Sequence, residues 1–339
     1  MAHPVTAAPP VPPGLAAAAA PSRGPALLRG PALLRGALHR LAGAVAVLFG
    51  AATLAFVALQ LIPGDPVAVL LGPSTTTSPE VRDEIRRQLG FDRPVWTQYL
   101  DFLGRLLHGD LGQSYQLQRP VAELVAEQLG PTLQLVGAAV LLALLLAIAS
   151  AVATAGRRPG LRALTGAWEL VAVSTPSYWL GLVLLTVFSF RLRLFPVAGA
   201  DGFGSLVLPA VTLALPLAGT LAQVLREGLE AALAQPFAVT VRARGRGRSA
   251  LVLRHALRHA AVPLVTLTGW LTGALLGGTV LVESVFGRPG VGALVLGAVN
   301  SRDVPVVIGV VLLSALAFVL ISALVDLLGA VLDPRLRNG

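Results

Sequence analysis

Between two long apolar stretches the chain carries the basic segment Phe237-Ala-Val-Thr-Val-Arg-Ala-Arg-Gly-Arg-Gly-Arg-Ser-Ala-Leu-Val-Leu-Arg-His-Ala-Leu-Arg-His-Ala-Ala-Val-Pro263. No acidic residue balances its arginines, which are Arg242, Arg244, Arg246, Arg248, Arg254 and Arg258. Short loops rich in arginine or lysine stay on the cytoplasmic side when the segments around them span a membrane. The stretch therefore predicts a membrane protein that crosses the bilayer several times, with this loop facing the cytoplasm.

The composition of the whole chain agrees with a membrane location. Hydrophobic residues make up 55% of its 339 residues and charged residues only 13%, whereas soluble domains carry about 25% charged residues. The mean hydropathy is +0.76. A net charge of +9 also fits a nucleic-acid-binding protein. The arginines gather at the ends of apolar segments, however, so control of membrane topology is favoured and no nucleic acid is expected.

Two residue types are missing, and their absence excludes several chemistries. Without cysteine the chain has no disulfide, zinc–thiolate site, iron–sulfur cluster or thiol nucleophile. Without lysine it has no Gly-x-x-x-x-Gly-Lys phosphate-binding loop, so it does not hydrolyse ATP by that chemistry. His255 and His259 have metal-ligand spacing, but no Glu-Xaa-Xaa-His pattern accompanies them and no metal is expected. No catalytic residue is identified, and we predict that the chain is not an enzyme.

Six apolar runs are each long enough to cross a hydrocarbon core of about 30 Å as a helix of roughly 20 residues. They are 41–62, 131–155, 167–190, 204–224, 261–282 and 305–328. Continuous apolar runs favour helices over the alternating pattern of membrane strands. The predicted fold is an all-α integral membrane protein with six transmembrane helices. Pro176, Pro209 and Pro216 interrupt the spans, which fits either kinked close packing or helices that tilt around a pathway.

The chain before the first span has a different composition. Residues 1–36 are rich in proline and alanine and are predicted to form a disordered or surface-bound tail, and the membrane domain is predicted over 37–339. The first span is longer than the apolar core of a signal peptide and lies behind this tail, so we expect it to remain uncleaved.

Arginine in the short loops predicts the orientation of the spans. The turn at 156–165, the loop at 225–262 and the C-terminal tail are rich in arginine, which predicts that both termini are cytoplasmic. The loop at 63–130 carries six arginines and nine acids. Long loops are translocated largely regardless of charge, so this one is predicted to lie outside the cell.

The predicted outer loop contains signals of ordered structure. Glu80 follows Ser-Pro and begins a predicted helix that Gly90 ends. Apolar residues in 98–108 recur at helical spacing, which predicts an amphipathic helix on the membrane surface or on the spans. Glycines around 109–113 predict a turn.

Acidic residues within the spans are few and lie near their ends. Glu169 lies near the predicted cytoplasmic start of the third span, Glu283 at the outer end of the fifth and Asp326 near the inner end of the sixth. Ion-driven carriers and pumps place such groups near the middle of the bilayer. The pattern therefore indicates transport powered by the energy of another protein.

The basic segment itself predicts an elbow of two short helices. Gly245 and Gly247 divide it, and Pro263 marks the entry to the next span. Two faces are predicted downstream: Arg254, His255, Arg258 and His259 on one, and Leu253, Ala256, Leu257 and Ala260 on the other. A cationic side and an apolar side fit a docking element for a soluble partner, and the alternative is an anchor to membrane lipids.

The segment resembles the cytoplasmic EAA loop of ABC importer permeases, in the version found in the dipeptide/oligopeptide/nickel family. The residues that carry the resemblance are Phe237, Thr240, Arg242, Ala243, Arg244 and Gly245, then Arg254, His255, Ala256, Leu257 and Arg258, then Pro263. Their order and spacing match those of the family.

Further family motifs follow one another along nearly the whole chain after the tail. They are Pro63-Gly64-Asp65-Pro66, Leu89-Gly-Phe-Asp-Arg-Pro94, Gln98-Tyr99, Gly109-Asp110-Leu111-Gly112-Gln113-Ser114, Pro131-Thr-Leu133, Glu283-Ser-Val-Phe-Gly-Arg-Pro289-Gly290-Val-Gly292, Arg302-Asp303-Val-Pro305, Asp326 and Asp333-Pro334-Arg335. The chain departs from the pattern at Val241, where a small residue is usual, and at His259 and Ser322, where asparagine is usual. The glutamate that names the loop is absent.

The resemblance implies a type I ABC importer transmembrane domain in the plasma membrane of a prokaryote. It implies a second, homologous permease subunit, two ABC ATPase subunits and an extracytoplasmic solute-binding protein as partners. The loop at 225–262 would be the coupling loop, with Gly245 at its centre and seated in a groove of one ATPase. ATP and magnesium would bind to the ATPases, and this chain would bind no cofactor.

The resemblance leaves the solute open. Di- or oligopeptides are expected, and the alternatives are nickel complexes, glutathione or another small solute carried by relatives. A self-contained channel or carrier, and a membrane anchor without transport, are hypotheses of other classes. No residue is identified as a substrate ligand.

Overall fold

The computed structural model describes residues 29–61, 67, 78–88, 90–156 and 159–332. The predicted motif residues Pro63, Gly64, Asp65 and Pro66, and Asp333, Pro334 and Arg335, lie outside these ranges, as do residues 1–28 of the predicted tail. The chain divides into two compact units, Met1–Ala46 and Val47–Gly339. The described part of the first unit is helical, and all contacts given below lie within the second.

Every regular element in the described residues is helical. The helices are α1 Arg29–Leu61, α2 Pro79–Gln88, α3 Val95–Leu107, α4 Val121–Thr154, α5 Pro159–Ser174, α6 Ser177–Leu184, α7 Gly204–Leu233, α8 Pro236–Ala243, α9 Arg248–Leu251, α10 Leu257–Val285, α11 Val291–Asn300 and α12 Val304–Leu332. Two π-helical turns, Leu185–Arg191 and Val252–Ala256, follow α6 and precede α10.

The number of spans agrees with the prediction of six. Five helical stretches are long and apolar enough to cross a membrane, and the pair Gly160–Ser174 and Ser177–Arg191 makes a sixth if it counts as one bent span. The predicted third span, 167–190, is therefore not one continuous helix. Its two halves meet at 101° because Pro176 has no backbone N–H and disfavours a helical conformation at the residue before it.

Several predicted boundaries were too narrow. Helix α4 begins ten residues before Pro131, which lies inside it, and α7 continues past 224 to Leu233. Helix α1 begins at Arg29, so residues 29–36, which were assigned to a disordered or surface-bound tail, are helical. A run of high hydropathy identifies only the part of a helix that lies in the hydrocarbon core of the membrane. These helices continue beyond that core through polar residues.

Small residues allow the central helices to pack closely. Ala139, Ala143, Ala147 and Ala151 are fully buried at every fourth position of α4. Further along the chain, α7 contributes the buried residues Ala214, Ala218, Leu221, Ala222 and Leu225 to the same core. Alanine at such positions lets helix backbones approach one another, as is usual between transmembrane helices.

The predicted outer loop contains the helices that the sequence indicated. Helix α2 ends at Gln88, close to Gly90, which has a φ of +71°. Helix α3 is amphipathic, and its Tyr99 ring packs against Phe56 of α1 with centroids 5.1 Å apart, while its hydroxyl lies 2.7 Å from Oγ1 of Thr53. The two helices expected in this loop are therefore present.

The sequence did not predict α11. Its ten residues, which are mostly apolar, are too few to cross a hydrocarbon core of about 30 Å. The helix lies in the connection between α10 and α12.

Candidate functional site

The coupling segment, defined here as Pro236–Ala260, contains the predicted elbow. Helix α8 begins with Pro236 at its first turn, and α9 follows after Gly245 and Gly247. Gly245 has a φ of +75°, while Gly247 is extended with φ −65° and ψ 161°. A Cβ on either glycine would meet no atom within 4 Å. Backbone conformation alone therefore favours glycine at 245, and nothing comparable does so at 247.

One stacking contact within this segment, one buried residue and one hydrogen bond to the rest of the chain hold it in place. The ring of Phe237 stacks on the imidazole of His259 with centroids 5.0 Å apart. Ala238 is buried, and a guanidinium nitrogen of Arg248 donates to the carbonyl of Ala155, just after α4. A cation at this helix end compensates the partial negative charge of the last carbonyls.

The prediction for the apolar face of the segment is wrong at Leu253. Leu253 was placed on the apolar side, but it is 51% exposed, while Leu251 and Val252 are buried. Ala256 and Ala260 are buried, as predicted. The π-helical turn at Val252–Ala256 widens the helix by one residue per turn, so a face counted with α-helical spacing shifts there.

The predicted cationic side is exposed except at His255. Arg242, Arg244, Arg246, Arg254 and Arg258 all face solvent, together with Thr240, Ala243 and His259. Within the described ranges no acidic side chain forms an ion pair with these arginines. His255 is half-buried, and Pro263 lies exposed inside α10. The segment thus presents unbalanced positive charge to whatever covers it.

No group of three or more histidine, aspartate or glutamate side chains among the described residues is arranged to hold a metal ion.

A buried polar cluster joins α4, α10 and α11. Glu283 is fully buried near the end of α10 and accepts hydrogen bonds from Oγ1 of Thr132 at 2.7 Å and from the backbone N–H of Ala293 at 2.9 Å. Oγ1 of Thr132 in turn accepts from the N–H of Val291 at 2.9 Å. The carboxylate and the hydroxyl thus satisfy free N–H groups in the first turn of α11. The motifs at 131–133 and 283–292 are brought together here.

Two glycines make this cluster possible. A Cβ on Gly290 would lie 2.2 Å from Cδ of Glu283, and one on Gly292 would lie 2.5 Å from Cα of Val280. Any side chain at these positions would displace either the carboxylate or α10. Pro289 of the same motif is exposed.

Arg288 is buried beside this cluster, with only 2% of its surface exposed. Its Nη2 lies 3.5 Å from Oε1 of Gln134, and its Nε and Nη1 have no hydrogen-bond partner in the part of the chain that the structure describes. Burial lowers the pKa of the guanidinium, and the charge of Glu283 acts in the opposite direction. Glu283 therefore compensates this buried cation without forming a direct ion pair with it.

A second polar cluster holds the other end of α11. Asp303 accepts hydrogen bonds from Oγ of Ser114, from the N–H of Tyr115 at 3.0 Å and from the N–H of Gln116 at 3.3 Å. Oγ of Ser114 accepts from the N–H of Leu117 at 2.9 Å. Residues 188 positions apart thus meet between the predicted outer loop and the start of α12.

The turn that leads to Ser114 depends on glycine. Gly109 and Gly112 have φ values of +75° and +82°. Oδ1 of Asp110 accepts a hydrogen bond from the N–H of Gly112 at 2.8 Å, as in a typical Asx turn. Pro305 is half-buried in the first turn of α12.

The predicted site residues therefore form two separate regions. The coupling segment ends at the start of α10, and Glu283 lies near the end of the same helix, whose 29 residues span roughly 44 Å. The clusters around Glu283 and Asp303 belong together through α11. Asp326 lies elsewhere, on the exposed surface of α12.

An ion pair that the sequence did not reveal joins α5 to α7. Glu169 is fully buried, and Nη1 of Arg226 lies 2.6 Å from its Oε1 and 2.7 Å from its Oε2. The sequence offered one signal: a charge within apolar helices is costly when unpaired, so Glu169 required a partner. It did not say which arginine that partner is.

An apolar cavity of about 580 Å³ lies between α4, α10, α11 and α12. Thr132, Thr272 and Ser314 are polar residues in its wall, which contains no charged side chain. The cavity thus gives no charged group with which to assign a solute.

Comparisons with known proteins match this chain to transport-system membrane proteins over most of its length. Residues 139–338 match the family described as the binding-protein-dependent transport system inner membrane component, and residues 33–136 match the N-terminal family of such membrane components. A glutathione transport system permease protein of Escherichia coli strain K12 is 35% identical over 303 residues, covering 88% of this chain and 98% of the relative. The corresponding protein of Salmonella typhimurium is 36% identical over the same shares.

Proposed function

The chain belongs to the family of binding-protein-dependent transport system inner membrane components, and on that premise we propose that it is the permease subunit of an importer for small peptides. Members of this family have the type I ABC importer membrane domain and are multi-pass plasma membrane proteins of prokaryotes. They are not enzymes themselves, and they work with ATPase subunits and a substrate-binding protein.

The peptide solute is proposed from one observation. The chain is 35% identical to glutathione transport system permeases over 98% of their length, so the likeness is not confined to the loop that family members share. Glutathione is itself a tripeptide. We therefore propose glutathione and di- or oligopeptides as the solutes to test first.

We also propose how the chain is oriented and assembled. Both termini and the coupling segment face the cytoplasm, which the distribution of arginine supports. The chain pairs with a second, homologous permease, and two ATPase subunits bind beneath the pair. ATP and magnesium bind to the ATPase subunits. When the two ATPases close on each other, they move the coupling segment. This movement tilts the membrane spans, so that the pathway opens alternately to the two sides of the membrane.

Uptake by a strain that lacks this chain tests the solute. We expect loss of uptake of radiolabelled glutathione or of labelled di- and tripeptides, and recovery when the chain is supplied again. Unchanged uptake of all these peptides would contradict the peptide proposal. Solute flux through the purified chain alone, without ATP, would contradict the role as one subunit of an ATP-driven importer.

A matched pair of glycine substitutions tests the coupling segment. Valine at 245 must adopt a φ of +75°, which a β-branched residue strongly disfavours, whereas the extended backbone at 247 suits it. Gly245→Val should lower uptake about tenfold, and Gly247→Val should change it no more than about twofold. Membrane insertion of both variants is checked by immunoblotting. Equal effects of the two substitutions would mean that the elbow conformation does not matter for coupling.

A further inference from the structure

The buried ion pair between α5 and α7 lies where three helices meet. Glu169 is fully buried, and the side chain of Arg226 is only 12% exposed. Oγ of Ser150 on α4 is 3.4 Å from Oε1 of Glu169. Arg226 uses one nitrogen to bind both carboxylate oxygens, so the two side chains are held in a narrow range of positions.

Helices α5 and α7 run antiparallel and contact each other on both sides of the buried pair. A Cβ on Gly219 of α7 would lie 3.0 Å from the carbonyl oxygen of Glu169 and 3.0 Å from Cγ2 of Val173, so the backbones are close there. Further along α7, Glu230 forms an ion pair of 3.0 Å with Arg162, near the beginning of α5. The buried pair lies between these two contacts and fixes the register of α5 on α7.

Stability alone is a poor explanation for such a pair. Removing two charges from water offsets most of their attraction, and apolar residues of similar size often replace a buried pair without loss of stability. Removing only one partner is strongly destabilising, because the other charge is left buried without compensation. A buried pair does, however, discriminate between one register of two helices and all others, because every other register separates the charges.

The position of the pair connects two breaks in the chain. Helix α7 ends at Leu233, seven residues after Arg226, and the coupling segment begins at Pro236. Helix α5 ends at Ser174, five residues after Glu169, and α6 leaves it at an angle of 101°. The pair therefore lies on a short path from the coupling segment to the bent span.

We propose that Glu169 and Arg226 are positioning residues that pass movement of the coupling segment through α7 to the bend between α5 and α6. The inference rests on the proposed function, since a partner ATPase must move the segment. With the pair intact, α5 and α7 move as one body. Without it, α7 shifts along or rotates against α5, and ATP is hydrolysed without movement of the bent span.

The test uses the whole complex, purified from its host through a tag on this chain and placed in vesicles with its binding protein. The main variant replaces both charges, Glu169→Leu with Arg226→Met, so that no charge is left buried alone. We expect this variant to hydrolyse ATP within about twofold of the wild-type rate, and to import about tenfold less glutathione or peptide per ATP. Its melting temperature should stay close to that of the wild type.

Two further variants separate coupling from structure. Arg226→Lys keeps the opposite charges together and should retain most of the transport per ATP. Glu230→Gln removes the ion pair between Glu230, which is half-buried, and the exposed Arg162 on the same two helices. It should leave transport per ATP unchanged, because pairs that solvent reaches contribute little.

If the doubly apolar variant transports as much solute per ATP as the wild type, the proposal is overturned. Loss of coupling in Arg226→Lys as severe as in the apolar variant would overturn it too, because the charges would then not matter. Failure of the proposed function gives a different result: wild-type vesicles would neither import peptide nor respond to binding protein by hydrolysing ATP, and both proposals would be rejected.

Discussion

Single residues decide how closely the helices around α11 approach one another. Gly292 is the clearest case, because any Cβ there would overlap the backbone of Val280. Glu283 and Thr132 fill the remaining space with hydrogen bonds to the N–H groups of Ala293 and Val291. These motif residues are thus explained by packing and hydrogen bonding, without any contact to a solute.

Gly292→Ala is predicted to destabilise the protein by about 1–3 kcal/mol, the usual effect of overpacking a filled site. The added methyl group would lie 2.7 Å from the backbone nitrogen of Val280, which cannot move without moving α10. The melting temperature of the detergent-solubilised chain measures the effect. Gly277→Ala is the matched control, since a Cβ there meets nothing within 4 Å and alanine favours a helix. Equal melting temperatures for the two variants would contradict the close contact.

At the scale of elements, the π-helical turn is what determines which residues of the coupling segment face the bundle. Around it Val252 is buried and Leu253 is exposed, although the α-helical count placed Leu253 on the apolar face. An apolar side chain is thereby added to the exposed cationic surface. In the proposed function this surface contacts the ATPase. The π-helical turn therefore contributes to the shape that the ATPase recognises.

Cysteine labelling can check this register, because the chain has no cysteine of its own. Leu253→Cys should react quickly with a soluble maleimide in the detergent-solubilised chain, since residue 253 is 51% exposed. Val252→Cys should react at least about tenfold more slowly, because reaction at a fully buried position requires local opening. Similar rates at both positions, or the reverse order, would contradict the inward position of Val252 and the outward position of Leu253.

At the scale of the whole molecule, the two regions of motif residues lie at opposite ends of α10. One carries exposed arginines, and the other contains the buried clusters around Glu283 and Asp303. If arginine sets the orientation as proposed, the first region faces the cytoplasm and the second lies near the outer surface, where a binding protein delivers solute.

Labelling of intact cells tests this orientation. Ser249→Cys and Ser301→Cys both place a thiol at an exposed position, one in each region. A membrane-impermeant maleimide should label residue 301 in intact cells, and residue 249 only after the membrane is permeabilised. The opposite pattern would invert the proposed topology, and with it the site of ATPase binding.

The elements that the sequence predicted depend on local properties. Runs of apolar residues predicted the spans, because crossing hydrocarbon requires a helix of a certain length whatever lies beside it. Gly90, Gly109 and Gly245 were expected at turns or breaks, and all three have positive φ values. The ordered motifs identified the family, to which the comparisons also assign the chain.

Only the tertiary structure decided which distant residues meet. Thr132 reaches Glu283 across 151 positions, and Asp303 reaches the turn at Tyr115 across 188. Arg226 was one of several arginines that could have paired with Glu169, and helix packing selected it. The sequence by itself thus determined a six-span membrane protein with a basic, glycine-broken loop. Packing decided the place of helix α11 and the buried partners, because these depend on which surfaces meet rather than on any local run of residues.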